Sequence, residues 1–567
     1  MLLYNVPEEG GHVNAWENIV SMIKSEGVEF IFGIGDCNLQ LYGERAEGIQ
    51  SVGLRYEGSA PFMAMAYSRL SGRPGVCTAS PGPGTANILP GVLEAYSGSL
   101  PLIVISSGTS QQYYGMGDFQ ECDMVSMMEP VTKWCARVPY LDRIPWFIRR
   151  AFSVAVNGQP GPVYIEIPFD ITGKTRWDLH EVETHPYLPS KKIRTAGDQV
   201  LIKEAIGLLK EAEKPVAVCG GGAVLSDAGA EFQEFVELLG IPFLTTPGGR
   251  GLVPETHPLA LGVCGIYRTK VGKQVFSDAD LVMTIGSKNE SFSTHQWEDM
   301  PKDAKFIQID IEPFEIGRNW LPDVGIAGDA KLVLGQLIKE LKNAAGSGGP
   351  AQIPRVAEIV SAKEAYRREV EIECVAAESP LPAKHVVFEA NRVFGDSTVL
   401  VSENGSQDTW SYCYPYYAVL KDGACVPVAE QTCMGMGVVG AIAAKLAAPE
   451  KNVLCFTGDG AFQMYMKEVP TACQYKAGCT WVVLNNSSFG WIKDHQQKAA
   501  GWDAASFAVQ PDFVKWADAC GCYGKRVETA SELETALEGA LEANRKGRPA
   551  IVDAAVGLDL SHFDRSK

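Results

Sequence analysis

No uninterrupted apolar stretch in the 567 residues approaches the ~20 that a membrane-spanning helix requires, so no membrane partner is expected. A basic excess is also lacking. Acids outnumber bases 68 to 50, for a formal charge of −18, whereas a general nucleic-acid binder would show a basic footprint. The acidic total leaves a small anionic substrate open, because local charge can invert the sum. The 15 cysteines show no framework. Cys520 and Cys522 lie close, but no second pair follows at zinc-finger spacing, so reduced thiols are expected rather than a disulfide scaffold. The opening MLLYNVPEEGGHVN has neither a basic n-region nor a long apolar h-region. The expectation is no secretory signal and a cytoplasmic location. Short-period repeats and low-complexity tracts are missing too.

What is present is an ordinary globular composition, 46% hydrophobic and 21% charged, so the chain can build large cores. Its length suggests roughly three or four domains. Three blocks stand out. In the first, the amphipathic stretch NAWENIVSMIKSEGV leads into EFIFGIG, and PGVCTAS and LPLIVISSG are further strand-like runs. The polar, proline-bearing EVETHPYLPSKKIRT reads as a connector. A second block carries KPVAVCGGGAV, IPFLTT, ADLVMTIG and KFIQIDI. The linker-like NAAGSGGPAQIP, 343–354, precedes a third with STVLVSE, NVLCFTG, CTWVVLNN and RPAIVDAAV. Strand-like and helical patterns alternate in each, which argues for parallel sheets covered by helices. The expected fold is α/β, three consecutive doubly wound parallel-sheet domains at 1–185, 195–343 and 355–567.

The third block contains FTGDGAFQM, where an apolar run stops at a lone acid, Asp459, between Gly458 and Gly460. A helical pattern follows from Ala461, interrupted by Pro470, which should kink or restart it. Then comes the strand-like CTWVVL and the pair Asn485-Asn486, with 24 residues between Gly460 and Asn485. Such a strand–helix–strand unit brings both strand ends to one sheet edge. One carboxylate with one amide oxygen suits a hard cation, Mg²⁺ or Ca²⁺. The start of the following helix offers free N–H groups, and cation plus helix terminus makes a diphosphate site. A turn with a capping acid is the plainer reading of either half alone.

A rival motif lies nearby. GMGVVG fits G-x-G-x-x-G through Gly435, Gly437 and Gly440, and Asp459 follows about 20 residues on, as in a dinucleotide fingerprint. A nicotinamide-dependent oxidoreductase is therefore the distant alternative. The preceding KDGACVPVAEQTC makes a poor buried strand, however, and close helix packing explains the glycines equally well.

The combination resembles the thiamine-diphosphate enzymes, in the branch of acetolactate synthase and pyruvate oxidase. RYEGSAPFMAMAYSRLSGRPGV is similar to the segment with that family's cofactor-activating glutamate, here Glu57. SPGPGTAN, ending at Asn87, looks like the turn that follows it. MGDFQECDMV resembles the substrate-side loop of acetolactate synthase, with Phe119 and Gln120. GLVPETHPLALG and IDIEPFEIGRN look like its middle domain. The resemblance covers nearly the whole chain and implies a pyrimidine-binding, a middle and a diphosphate-binding domain in that order. It implies Mg²⁺ held by Asp459, Asn486 and the backbone carbonyl of Ser488. The cofactor would be lined by Gly405, Ser406, Gln407, Gly458, Gly460 and Ala461, with Met434 as an apolar wedge. The implied activity is thiamine-diphosphate- and Mg²⁺-dependent cleavage and ligation next to the carbonyl of a 2-keto acid. The implied assembly is a homodimer or homotetramer.

Some positions depart from the pattern. After LVMTIG the chain reads SKNESFSTH, with Lys288 near the first arginine of the usual Arg-Phe-Asp-Asp-Arg run. SSFGWIKDHQQ stands in place of Gln-Trp after the asparagines, and Tyr56 stands where many relatives have histidine. PVTKWCARVPYLDRIPWFIRRA resembles 2-hydroxyacyl-CoA lyases, so a lyase or oxalyl-CoA decarboxylase acting on an acyl-CoA is the main enzymatic alternative. Whether FAD or ADP/CoA binds in the middle domain is open. Lys288, Arg268, Lys493 and His495 are candidate substrate cations, against surface charge as the duller reading. A catalytically silent regulatory homologue is a third reading, which the intact Glu57 opposes.

Overall fold

The computed structural model describes residues 15–34, 38–172, 187–345, 355–375 and 380–561. The opening segment, the first six residues of the connector and all but the first three residues of the linker-like stretch lie outside them. The chain divides into two compact units. The first holds the residues up to Lys192 apart from 65–72 and 97–99; the second holds those two stretches and everything from Ile193.

Among the described residues the strands form three six-stranded sheets in which every pairing is parallel, the α/β class read from the sequence. The first comprises β1 (Phe30–Gly33), β2 (Gln50–Gly53), β3 (Gly75–Ala79), β4 (Leu102–Gly108), β5 (Trp134–Arg137) and β6 (Pro162–Pro168), in the order β2-β1-β3-β4-β6-β5. The second comprises β7 (Pro215–Cys219), β8 (Phe243–Thr245), β9 (Ala260–Val263), β10 (Leu281–Ile285), β11 (Lys305–Asp310) and β12 (Val324–Ala327), in the order β12-β11-β10-β7-β8-β9. The third comprises β13 (Thr398–Ser402), β14 (Ala424–Val426), β15 (Asn452–Gly458), β16 (Thr480–Asn485), β17 (Tyr523–Val527) and β18 (Ala550–Ala555), in the order β14-β13-β15-β16-β18-β17.

The central strands are buried along their length, because helices cover both faces, and they read as unbroken apolar runs. The covering helices bury one stripe. In Ala15–Ser25 the buried Trp16, Ile19, Val20 and Ile23 recur at helical spacing and pack into the core with Ile31, Ile103 and Ile165. In the third block Trp481 of β16 is fully buried, and its indole N–H donates to the carbonyl of Val438 at 2.8 Å. The helix Met436–Ala447 is thereby pinned to the sheet. Pro470 acts as a restart: the helix Asp459–Tyr465 gives way to a single 3₁₀ turn, and a new helix, Val469–Gln474, begins with Pro470 in its first turn.

Strand order sets where a crevice opens. In the third sheet the chain leaves β13 for β14 on one side and returns to β15 on the other. The two strand ends part there, a topological switch point. In the second sheet the same point lies between β7 and β10.

Candidate active site

At the β13/β15 switch point the quoted turn answers to its neighbours. A Cβ on Gly460 would sit 2.5 Å from the Phe489 ring, and one on Gly458 would sit 3.3 Å from Oε1 of Gln407. The glycines therefore let a ring and an amide lie directly against the backbone at the end of β15. β15 and β16 are direct neighbours, with Gly458 level with Leu484, so Asp459 and the asparagine pair leave the sheet at the same edge.

Asp459 is 1% exposed. Its Oδ2 accepts from the Gln510 amide, while Oδ1 has no hydrogen-bond partner among the described residues. Burial pushes the carboxyl up to about 6, against the pull of Gln510 and of the backbone N–H of Asn486. An unpartnered buried carboxylate oxygen costs roughly 1–3 kcal/mol or more, so it calls for a ligand. The two asparagines divide their roles. Asn485 is wired into the sheet: its Nδ2 donates to Asp553 at 3.0 Å and its Oδ1 accepts from the Ser487 N–H at 3.2 Å. Asn486 is half-buried, and its Oδ1 accepts only the Ser488 hydroxyl, at 2.8 Å. Ser487, at φ +56°, turns the chain so that Ser488 bridges to Ser506. A Cβ on Gly490 would meet Ser406 Oγ at 2.7 Å and Asn486 Nδ2 at 3.2 Å, so the loop after β13 and the turn after β16 converge.

Three residues that sequence reasoning missed complete this end of the sheet. Glu403 is buried, and its carboxylate accepts N–H bonds from Gly435 at 2.7 Å, Asn404 at 3.0 Å and Val438 at 3.2 Å. Burial holds it at about 7. Its carbonyl accepts from Gln407 Nε2 at 3.0 Å, so one residue fixes both the Gly405–Gln407 loop and the turn that carries Met434. The ring of Tyr465 fills the place of a side chain at Gly435, whose φ of +93° also requires glycine. Gln510 is the third. An acid directly after β13, as Asp459 follows β15, was the available signal for Glu403; Tyr465 and Gln510 carry none. Gly437, for its part, abuts the Ser402 carbonyl and Glu403, and KDGACVPVAEQTC holds only the three-residue edge strand β14, which ends at Val426, well before the Met436–Ala447 helix. The glycines of GMGVVG thus serve close packing.

In the first unit Glu57 is half-buried, and its Oε2 accepts from Asn87 Nδ2 at 3.3 Å. The Pro83–Asn87 helix brings Gly84 alongside, where a Cβ would lie 3.7 Å from Glu57 Oε1. Gln120, at φ +59°, places its carbonyl 2.8 Å from where a Gly82 Cβ would be. Glu121 folds this loop by accepting from the N–H groups of Gly115, Gly117 and Asp118, which hold its carboxyl below the ordinary range. Phe119 is left 80% exposed. In the first unit Glu57 thus pairs with Asn87, while Gln120 lies against Gly82, just before the Pro83–Asn87 helix. Gly405, Ser406, Gln407, Gly458, Gly460, Asn486 and Ser488 gather around Asp459 in the second.

Of the other candidate cations, Arg268 and Lys288 are paired, His495 is exposed and Lys493 is half-buried. Arg268 bonds Asp299, and Lys288 lies 3.5 Å from Glu430. Lys493 and His495 stand on the helix Gly490–Ala500, His495 exposed. The second sheet carries a pocket lined among others by Leu244, Thr246, Arg268, Phe276, Thr284 and Trp320.

Comparison with known proteins decides the family. Residues 13–127 match "Thiamine pyrophosphate enzyme, N-terminal TPP binding domain", 202–337 the central domain and 404–554 the C-terminal TPP binding domain. The probable acetolactate synthase large subunit of Methanococcus aeolicus is 31% identical over 560 residues, 96% of this chain and 92% of that one. The chain belongs to the thiamine pyrophosphate enzyme family. Within it, the acetolactate synthase isozyme 3 large subunit of Escherichia coli (strain K12) is also 31% identical, over 550 residues, 95% of this chain and 94% of that one. The probable large subunit of Methanocaldococcus jannaschii is 30% identical over 552 residues. For a thiamine pyrophosphate enzyme the residues present fit the cofactor. Asp459 Oδ1 is buried and without a partner among the described residues, and the neighbouring donors are oxygens.

Proposed function

We propose that this thiamine pyrophosphate enzyme is a Mg²⁺-dependent carboligase of the acetolactate synthase kind, cleaving a 2-keto acid and joining the fragment to a second carbonyl. The observation that carries it is the buried, unpartnered Oδ1 of Asp459 at the β13/β15 crevice. When bound, thiamine diphosphate supplies a carbon nucleophile that adds to the substrate carbonyl. Asp459, the Asn486 side chain and the Ser488 carbonyl would hold Mg²⁺. Gly405, Ser406, Gln407, Gly458, Gly460 and Ala461 would line the diphosphate, and Met434 would support the cofactor from below. Glu57, oriented by Asn87, would hold and return a proton at the pyrimidine ring. Phe119 and Gln120 would face the substrate.

The proposed active unit is a homodimer or homotetramer, with Glu57 and Asp459 serving one cofactor across a subunit interface. The proposed domains are 1–185, 195–343 and 355–567. No helix among the described residues is long and apolar enough to cross a membrane. The relatives' names favour the keto-acid reading over the acyl-CoA one. The test is CO₂ release from pyruvate, oxalyl-CoA and a 2-hydroxyacyl-CoA by protein loaded with thiamine diphosphate and Mg²⁺. Turnover of pyruvate with formation of a C–C bond is the expected outcome. Turnover of thioesters alone would replace it with the acyl-CoA reading.

A further inference from the structure

The cysteines hold a pair that spacing conceals. None of the described cysteines is in a disulfide. Cys522 lies two residues from Cys520 in the chain, yet its sulfur faces Cys473, 49 positions away, with Sγ atoms 3.2 Å apart. Cys473 sits on the helix Val469–Gln474 and is half-buried; Cys522 is 1% exposed. The contact with Cys473, ahead of burial, keeps the Cys522 thiol well above its ordinary range, and either sulfur can be the donor in the S–H···S contact. A disulfide needs about 2.05 Å between the sulfurs, so closure requires an approach of roughly 1 Å.

The pair ends a seam that begins at Asp459. The helix Phe513–Cys520 and the residues flanking it touch the arm formed by Asp459–Tyr465, the 3₁₀ turn and Val469–Gln474 at four levels. Gln510 donates to Asp459 and accepts from Gln463 Nε2 at 2.9 Å. The Phe513 and Phe462 rings meet edge to face at 5.4 Å. The Trp516 indole N–H donates to the Met466 carbonyl at 3.3 Å. Cys522 and Cys473 close the far end.

We propose that Cys473 and Cys522 are a thiol-modification site, a dithiol that a small-molecule disulfide oxidises, stapling this seam. The Cys473 sulfur, the more accessible, attacks RSSR as its thiolate; the S–S bond of RSSR breaks and one RS⁻ leaves, taking up the proton. The Cys522 sulfur then attacks Cys473 in the mixed disulfide, and the second RS⁻ departs with the Cys522 proton. Two protein thiols lose two electrons and two protons, and RSSR becomes two RSH. In a reducing compartment such a bond is transient and responds to redox state. Its second consequence rests on the function proposed above: with the far end fixed, Gln510 would be held against Asp459 Oδ2, leaving Oδ1 as the oxygen that would hold the metal.

The test uses the full chain in millimolar oxidised glutathione, with the reduced chain as reference. Peptide mapping should join Cys473 to Cys522, with two fewer titratable thiols. Cys473→Ser and Cys522→Ser should each abolish the link, and Cys520→Ser should leave it intact. The oxidised wild type should melt on the order of 5 °C higher than the reduced form. No loss of thiols, or a link that maps to Cys520, overturns the site, and the wild type alone decides this if a variant fails to fold. The coupling is read separately, as the half-time of thiamine diphosphate loss on dialysis with Mg²⁺. It should lengthen several-fold on oxidation. An unchanged half-time with the link formed removes the coupling and keeps the dithiol. Absence of cofactor in both forms removes the proposed function and with it the coupling, while the mapping still stands.

Discussion

The two switch points of the second unit obey one rule and end differently. Between β7 and β10 the turns are laced together: the Gly220 N–H donates to the Ile285 carbonyl at 2.9 Å, and the Gly222 N–H to Gly286 at 2.9 Å. A Cβ on Gly220 would come 2.2 Å from the Gly286 oxygen, and one on Gly286, at φ +60°, 2.6 Å from the Ala223 nitrogen. Glycine there lets backbone meet backbone. Between β13 and β15 the glycines instead let side chains approach, and among the described residues Asp459 Oδ1 is left without a partner, as is Asp408 Oδ1 just past the Gly405–Gln407 loop. Strand order offers a crevice in both sheets. The loop residues decide whether polar groups at its mouth satisfy each other or wait for a ligand.

The contrast can be broken most sharply at Asp459. Asp459→Ala should weaken Mg²⁺-dependent retention of thiamine diphosphate by more than about 100-fold, since loss of even an outer-shell partner of a metal costs 10–100-fold. Retention unchanged after dialysis, measured by calorimetry on the dialysed protein, would refute the metal assignment. Glu57→Gln tests the first unit's share. Hydrogen–deuterium exchange at the acidic thiazolium carbon should slow by about 10²-fold or more, with cofactor affinity largely kept. Wild-type exchange in that variant would remove the role given to Glu57.

The laced crevice is probed by Gly286→Ala, which adds a methyl group where the backbone of Gly222 and Ala223 already stands and strains a positive φ. Urea denaturation should show a loss of roughly 1–3 kcal/mol, with cofactor affinity unmoved. An equal loss of affinity would mean that the two crevices act as one. The smallest effect concerns Asp408, next to the Gly405–Gln407 loop. It is buried, its Oδ2 accepts from the Tyr267 hydroxyl at 3.1 Å, and burial raises its carboxyl to about 8. Its folded pKa lies above the unfolded one, so its contribution is fully present below about pH 4 and is lost as pH rises through 8. Between pH 7 and 8 the wild type should lose about 1 kcal/mol that Asp408→Asn, which copies the protonated form, does not. Parallel stability curves for the two proteins would contradict the assignment.

The central strands were legible because burial on both faces leaves an unbroken apolar run, as in LPLIVISSG and CTWVVLNN. Six of the strands that escaped notice, β2, β5, β9, β12, β14 and β17, are the edges of their sheets; β6 is a central exception. Edges are short, and several are half-exposed with mixed composition, as in YGKRV. The diphosphate end was legible through Gly458–Gly460 and the asparagine pair, whose spacing is local. Which asparagine serves the sheet was not, because Asp553 lies 68 positions from Asn485. Gln510 and Cys473 escaped for the same reason: their partners are chosen by packing, not by neighbours in the chain.

The brevity of those edges has a bearing on solubility during folding. Parallel sheets assemble from distant segments and fold slowly, so their rims stay open to other chains for longer. Here each rim offers only three to five residues, and that of β17 carries Lys525 and Arg526. Short, charged rims are poor templates for pairing with a second molecule, which keeps half-made copies from adding strands to one another.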